Sequence, residues 1–188
     1  MVRQASAQDA PQIARLIVLA MGRLAAKFAN SDDTNTHVAL FERFVRLPGN
    51  QYSYQNILVY EEGSNITGMI IGYDGGDLYK LRAAFLEYIT RELGFTGQPE
   101  DETKSGEYYI DCLAVDPAHQ GKGLAKALIT AMIGHAVSLG HKKTGLLVSK
   151  ENARAYKLYT EMGFEYRGEL ELLGGYHNHL QYQAKPAQ

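Results

Sequence analysis

Asp111-Cys112-Leu113-Ala114-Val115-Asp116-Pro117-Ala118-His119-Gln120-Gly121-Lys122-Gly123-Leu124-Ala125 reads as a β-strand, a tight loop and the opening of a long helix. Gly121 and Gly123 have no Cβ, so the main chain of Gln120–Ala125 can approach a bulky group closely. The helix that follows begins with unpaired N–H groups and a partial positive charge. Strand, glycine loop and helix start together form a seat for an anion, and a pyrophosphate suits it.

Downstream of this stretch, residues 122–139 keep a helical pattern and 144–149 an apolar strand pattern. Residues 152–162 predict a further helix closed by Gly163, and 165–173 and 176–184 predict a last strand pair turned at Gly174-Gly175. Upstream, residues 2–6 suggest a short strand. One helix is predicted from an Asp9 cap through Phe28, on the spacing of Ile13, Leu16, Ile17, Ala20, Met21 and Leu24. A shorter helix through Val38, Phe41, Phe44 and Val45 ends before Pro48. Residues 56–61 and 66–73 form a hairpin pattern. Leu78, Leu81, Phe85, Tyr88, Ile89 and Leu93 give residues 77–94 an amphipathic helical spacing, and polar residues 98–106 lead into the strand 108–115. Strands and helices in this order predict a mixed α/β sheet with helices on both faces. The 188 residues fit one domain, 1–188, with an inserted helix and loop at 77–106.

The composition limits the function classes. A net charge of −2 supplies no global basic field for nucleic acid. No apolar run reaches about 18 residues, and the N-terminus lacks the pattern of a signal peptide, so a cytoplasmic location away from membranes is expected. One cysteine, Cys112, makes no internal disulfide and no cysteine metal site, and reads best as a strand residue in the core.

The glycine loop alone is not specific. A dinucleotide fingerprint asks for another small residue at a different spacing and an acidic residue about 20 positions on, which 140–150 do not offer. A nucleotide P-loop asks for Ser or Thr after Gly-Lys, where this chain has Gly123. Lys122 and Lys126 oppose the helix dipole by roughly 0.3–1 kcal/mol each, a sign that a bound polyphosphate reverses; with no ligand they simply point into water. A second motif adds the specificity: Asn152-Ala153-Arg154-Ala155-Tyr156-Lys157-Leu158-Tyr159-Thr160-Glu161-Met162-Gly163-Phe164. Asn152 caps the helix or turns its amide to a ligand, Ala155 keeps a face open, and Gly163 with Phe164 closes the helix.

These two ordered motifs resemble those of the GCN5-related N-acetyltransferase family, over about residues 108–168. The resemblance implies the acyl-CoA N-acyltransferase fold, in which parallel strands splay apart at the cofactor. It implies acetyl-CoA as co-substrate. The main chain of Leu113, Ala114 and Val115 would meet the pantetheine arm and polarise the thioester carbonyl. Gln120, Gly121, Lys122, Gly123, Leu124 and Ala125 would hold the pyrophosphate, with Asn152, Ala155 and Tyr159 also at the cofactor. Tyr159 would protonate the departing thiolate, against the plainer reading of a Tyr packed on the sheet. No metal is implied.

For the base, Asp111 stands out because a carboxylate within an apolar strand is costly unless it is paired. It shares a face with Tyr109 and Glu107; pairing with an arginine is the alternative. Glu100-Asp101-Glu102 reads first as a solvated loop, and second as negative charge that draws in a cationic amine. His177 and His179 share a strand face without an evident third metal ligand, which favours substrate contact or a rim position. The expected partner is a small-molecule or peptide primary amine; the Tyr-rich final strands offer an edge for a homodimer. A CoA-binding sensor without turnover is the rival from another class.

Overall fold

The computed structural model describes residues 1–172 and 174–184. Its strands are β1 (Val2–Gln4), β2 (Ile57–Glu62), β3 (Asn65–Asp74), β4 (Tyr108–Val115), β5 (Lys143–Ser149), β6 (Glu165–Leu172) and β7 (Gly175–Gln183). Its helices are α1 (Ala10–Met21), α2 (Arg23–Ala29), α3 (Thr34–Arg46), α4 (Leu78–Leu93), α5 (Leu124–Ser138) and α6 (Ala153–Glu161). The strands form one sheet in the order β1-β2-β3-β4-β5-β7-β6. Neighbouring strands are antiparallel except β4 and β5, which run parallel. This is the mixed α/β sheet predicted from the order of elements. Leu173, placed at the end of a strand by the sequence, lies outside the described residues.

One prediction is corrected. The helix expected from Asp9 to Phe28 is divided into α1 and α2 at Gly22, whose φ of 52° and ψ of −121° are inaccessible to a helical residue. Hydrophobic spacing persists across the break because both pieces bury their apolar sides in one core. It therefore could not report the turn.

The sheet separates two cores. On one face Ile13 and Ile17 of α1, Phe28 of α2, Phe41 and Phe44 of α3, and Phe85 and Ile89 of α4 pack with Met69, Tyr73, Tyr109, Cys112 and Ala114. On the other face Leu128, Ile129 and Met132 of α5 and Tyr159 of α6 pack with Ile70, Tyr108, Ile110, Leu146 and Leu180. The extra helix α4 is part of the first core. The Phe85 ring lies 5.3 Å from Phe28, 5.0 Å from Phe44 and 4.7 Å from Tyr52, edge to face. Such pairs add about 0.5–1.5 kcal/mol each to burial worth about 2–3 kcal/mol. At its end, Gly94 takes a φ of 71°, and the Asn30 amide donates to the Leu93 carbonyl at 2.8 Å, joining the ends of α2 and α4.

Two irregularities position the site. Ile71 pairs with Cys112 and Gly72 with Ile110, so Asp111 is the extra residue of a β-bulge. Further, β4 pairs with β5 only at Tyr108, Tyr109 and Ile110, opposite Thr144, Gly145 and Leu146.

Candidate active site

Beyond Ile110 and Leu146 the parallel strands part. There β4 stays paired with β3 as far as Val115, and β5 stays paired with β7 as far as Ser149. The facing edges of 111–115 and 147–149 thus have no strand partner across the gap. Main-chain N–H and C=O groups without a ladder partner are strong hydrogen-bonding groups that an extended ligand can satisfy. Leu113, Ala114 and Val115 are on this edge.

The glycine loop lies just past the end of β4. Gly121 and Gly123 have φ of 78° and 84°, and a Cβ built at either would meet no atom within 4 Å. Open space over left-handed glycines at a helix start suits a diphosphate. Gly123 is the N-cap residue of α5, and no side chain caps that end. Leu124 is buried beneath it, so it offers a ligand main chain only. Lys122 is exposed, Ala125 is half-buried, and Lys126 pairs with Glu161 at 3.5 Å. The Gln120 amide donates to the Val115 carbonyl at 3.3 Å and accepts from Arg154 at 3.4 Å. Sequence reasoning passed over Arg154, although it stands inside the second motif; it brings a permanent cation to the loop. Asn152 spends its side chain as the α6 cap, accepting from the Ala155 N–H at 3.0 Å. Ala155 itself is half-buried.

Tyr159 is buried on the α5–α6 face, edge-on to Phe164 at 5.8 Å. Burial, and then the nearby Cys112 thiol, push its pKa well above that of a free phenol. It therefore keeps its proton at neutral pH, as an acid must.

Asp111 is half-buried and opens on the opposite face, among Tyr52, Tyr73 and Tyr109. The bulge accounts for its place, holding it beside Cys112 on the side of α1. Its partner is not an arginine. The Gln51 amide donates to Asp111 Oδ2 at 2.9 Å and to Glu102 Oε1 at 3.1 Å, and the Tyr73 hydroxyl donates to Glu102 at 3.3 Å. Gln51 is held firmly: its N–H donates to the Leu81 carbonyl at 2.9 Å, and neighbouring Asn50 caps the end of α3 through the Phe44 and Leu47 carbonyls. The first reading of Glu100-Asp101-Glu102 as a solvated loop holds for Glu100 and Asp101, which are exposed, and is corrected for Glu102, which is half-buried. Arg82 of α4, nearly buried, pairs with Asp101 and donates to the Glu100 carbonyl at 3.0 Å, which turns Glu102 inward. Burial raises the pKa of both carboxyls, and for Glu102 the charge of Asp111 adds to it. Two such groups release their protons in separate steps that belong to the pair. A cavity of about 50 Å³ adjoins them, walled by Met21, Leu24, Phe28, Leu86 and Leu172.

Glu107 and His179, which the sequence left as a strand-face acid and a rim histidine, form a second cluster on this face. Buried Glu107 accepts from His179 Nε2 at 2.9 Å, from Gln181 at 2.9 Å and from Thr103 at 2.9 Å. His177 Nδ1 lies 3.1 Å from the Gly175 carbonyl.

Comparison with known proteins agrees with this geometry. Residues 23–164 match the Acetyltransferase (GNAT) family. A spermine/spermidine N(1)-acetyltransferase of Bacillus subtilis (strain 168) is 33% identical over 82 residues, 43% of this chain and 54% of that protein. The matched region thus spans about half the length of that curated relative. The crystal structure of an N-acetyltransferase from Staphylococcus aureus Mu50 is 28% identical, with a TM-score of 0.82 over 96% of this chain and 99% of that one. A protein from Salmonella typhimurium, solved with its cofactor acetyl-CoA, shares the fold at 22% identity and a TM-score of 0.62, covering 100% of this chain and 95% of that one. Among the described residues no helix is long and apolar enough to cross a membrane. From its parted parallel strands, its glycine loop and the family match across most of its length, the chain belongs to the Acetyltransferase (GNAT) family.

Proposed function

We propose that this chain, acting as one domain, is an acetyl-CoA-dependent N-acetyltransferase for a primary amine. The observation that carries the reading is the gap beyond Ile110 and Leu146. The glycine loop lies past the end of β4, Tyr159 belongs to the core on the α5–α6 face, and Asp111 sits on β4 next to Cys112 of the opposite core. In this reading Gln120–Ala125 hold the pyrophosphate, with Lys122 and Arg154 adding charge, and the unpaired edge of Leu113–Val115 orients the thioester. An alkyl ammonium with a pKa near about 10 must lose a proton before it can attack. Asp111 takes that proton, directly or through water. The nitrogen attacks the carbonyl carbon, the C–S bond breaks, the sulfur takes the Tyr159 proton, and the second N–H proton leaves the nitrogen and, through water, restores the Tyr159 phenol. No protein nucleophile is needed, so Cys112 remains a core residue.

Release of free CoA thiol across a panel of primary amines tests this. Turnover with at least one amine, lost in Asp111→Asn with acetyl-CoA binding kept, supports the assignment. Tight acetyl-CoA binding with no thiol release for any amine would instead make the chain a sensor.

A further inference from the structure

Building on the N-acetyltransferase reading, we propose that Glu102 selects a positively charged acceptor. Its carboxylate, set beside Asp111 by Gln51 and Tyr73, receives the ammonium ion in exchange for a proton.

The geometry is that of two carboxylates served by one amide. Gln51 Nε2 donates to both, at 3.1 Å and 2.9 Å, and Tyr73 adds one hydroxyl. Around the pair stand Tyr73 of β3, Tyr109 and Cys112 of β4, Tyr52 of the segment before β2, and Arg82 of α4. Burial holds the three phenols and the thiol neutral. Arg82 is the one facing cation among the described residues, and it is engaged by Asp101 and the Glu100 carbonyl. Neither Glu102 nor Asp111 forms an ion pair among the described residues. Two neighbouring carboxylates in that condition either keep a proton or take up a cation.

The adjoining space says which cation. Its volume of about 50 Å³ admits a small head group; Met21, Leu24, Phe28, Leu86 and Leu172 supply hydrocarbon to its wall, and Arg82, which Asp101 neutralises, and Glu100 also line it. An ammonium on an alkyl stem satisfies both features. When it enters, the proton on Glu102 passes to solvent and the ammonium spans the two carboxylates. Asp111 then removes one N–H proton, and the neutral amine so formed attacks the thioester. Glu102 thus acts on binding, and Asp111 on the chemistry.

The test uses the full-length protein and the amine that gives the fastest thiol release. In Glu102→Gln, KM for that amine rises about tenfold to a hundredfold, the worth of one charge-assisted hydrogen bond, while kcat stays within about threefold. In the wild type KM falls as pH rises through the upper ionisation of the pair; in Glu102→Gln that dependence is gone. Calorimetry in buffers of different ionisation enthalpy, near pH 7, shows the wild type releasing a substantial fraction of one proton per bound amine, whereas the alcohol of the same carbon skeleton releases none. An unchanged KM and pH profile in Glu102→Gln, or amine binding without proton release, overturns the proposal while leaving the acetyltransferase reading intact. Failure of every amine to turn over removes both. Should Glu102→Gln not fold, the proton count on the wild type decides alone.

Discussion

Glu107, directly before β4, accepts a hydrogen bond from His179 on β7 at 2.9 Å, reaching over β5, which lies between β4 and β7. The crossing is possible because residue 145 of β5 is glycine. A Cβ there would sit 2.0 Å from Glu107 Oε2. Gly145→Ala therefore expels a carboxylate that also holds Gln181 and Thr103. Loss of that network costs about 2–4 kcal/mol, read as a lower midpoint in urea unfolding. A midpoint equal to wild type would show that Glu107 relocates freely.

The same carboxyl sets part of the acid limit. Burial pushes the Glu107 pKa up, but the bonds from His179, Gln181 and Thr103 outweigh it and leave it below the ordinary value. Asp9, held by Arg3, is likewise lowered, to about 2. An acid with a depressed folded-state pKa stabilises the fold above its unfolded pKa and loses that contribution as pH falls through the folded one. Stability is thus expected to fall from about pH 4.5 down to about pH 2. Glu107→Gln flattens the upper part of that slope in melts taken across the range.

Tyr159→Phe removes the proposed proton donor while keeping the ring against Phe164. Turnover is expected to drop about 10²–10⁴-fold, with acetyl-CoA affinity changed less than about threefold. Stopped-flow thiol release and equilibrium binding separate the two. Equal losses in both would assign Tyr159 to binding.

Gly123→Ala places a Cβ on a residue with φ of 84°. The left-handed strain costs about 1–2 kcal/mol, and the methyl projects into the space assigned to the pyrophosphate. Acetyl-CoA affinity is expected to fall more than about tenfold, and affinity for the pantetheine arm alone much less. Equal losses for the two ligands would place the diphosphate elsewhere.

Raised pKa values work the other way. Asp111 and Glu102 ionise above their unfolded values, so their burial costs stability that grows as pH rises from the unfolded pKa through the folded one. Asp111→Asn should melt a few degrees higher than wild type at pH 8 and show little difference near pH 4, while losing turnover. A lower melting temperature at both pH values would mean that the carboxylate is structural.

Much of the fold could be read from the chain because its signals are local. Helical spacing marks α3, α4 and α5, Gly94 and Gly163 stop helices, and the Gln120–Ala125 and Asn152–Phe164 motifs lie wholly within short segments. The break at Gly22 escaped because hydrophobic periodicity continues through it. Arg154 was not singled out, since a charged residue on an exposed helix face carries no local mark of what it meets.

The sequence by itself determined the order of elements, apart from the break at Gly22, and the glycine loop ahead of α5, because these depend on backbone preferences within a few residues. Tertiary structure alone decided that Glu102, read as part of a solvated loop, turns inward to Asp111. That meeting needs Gln51, 60 residues from Asp111 in the chain, a bulge in β4, and Arg82 to draw in Asp101. Contacts so distant in sequence are set by strand register and buried charge, which no short window of residues encodes.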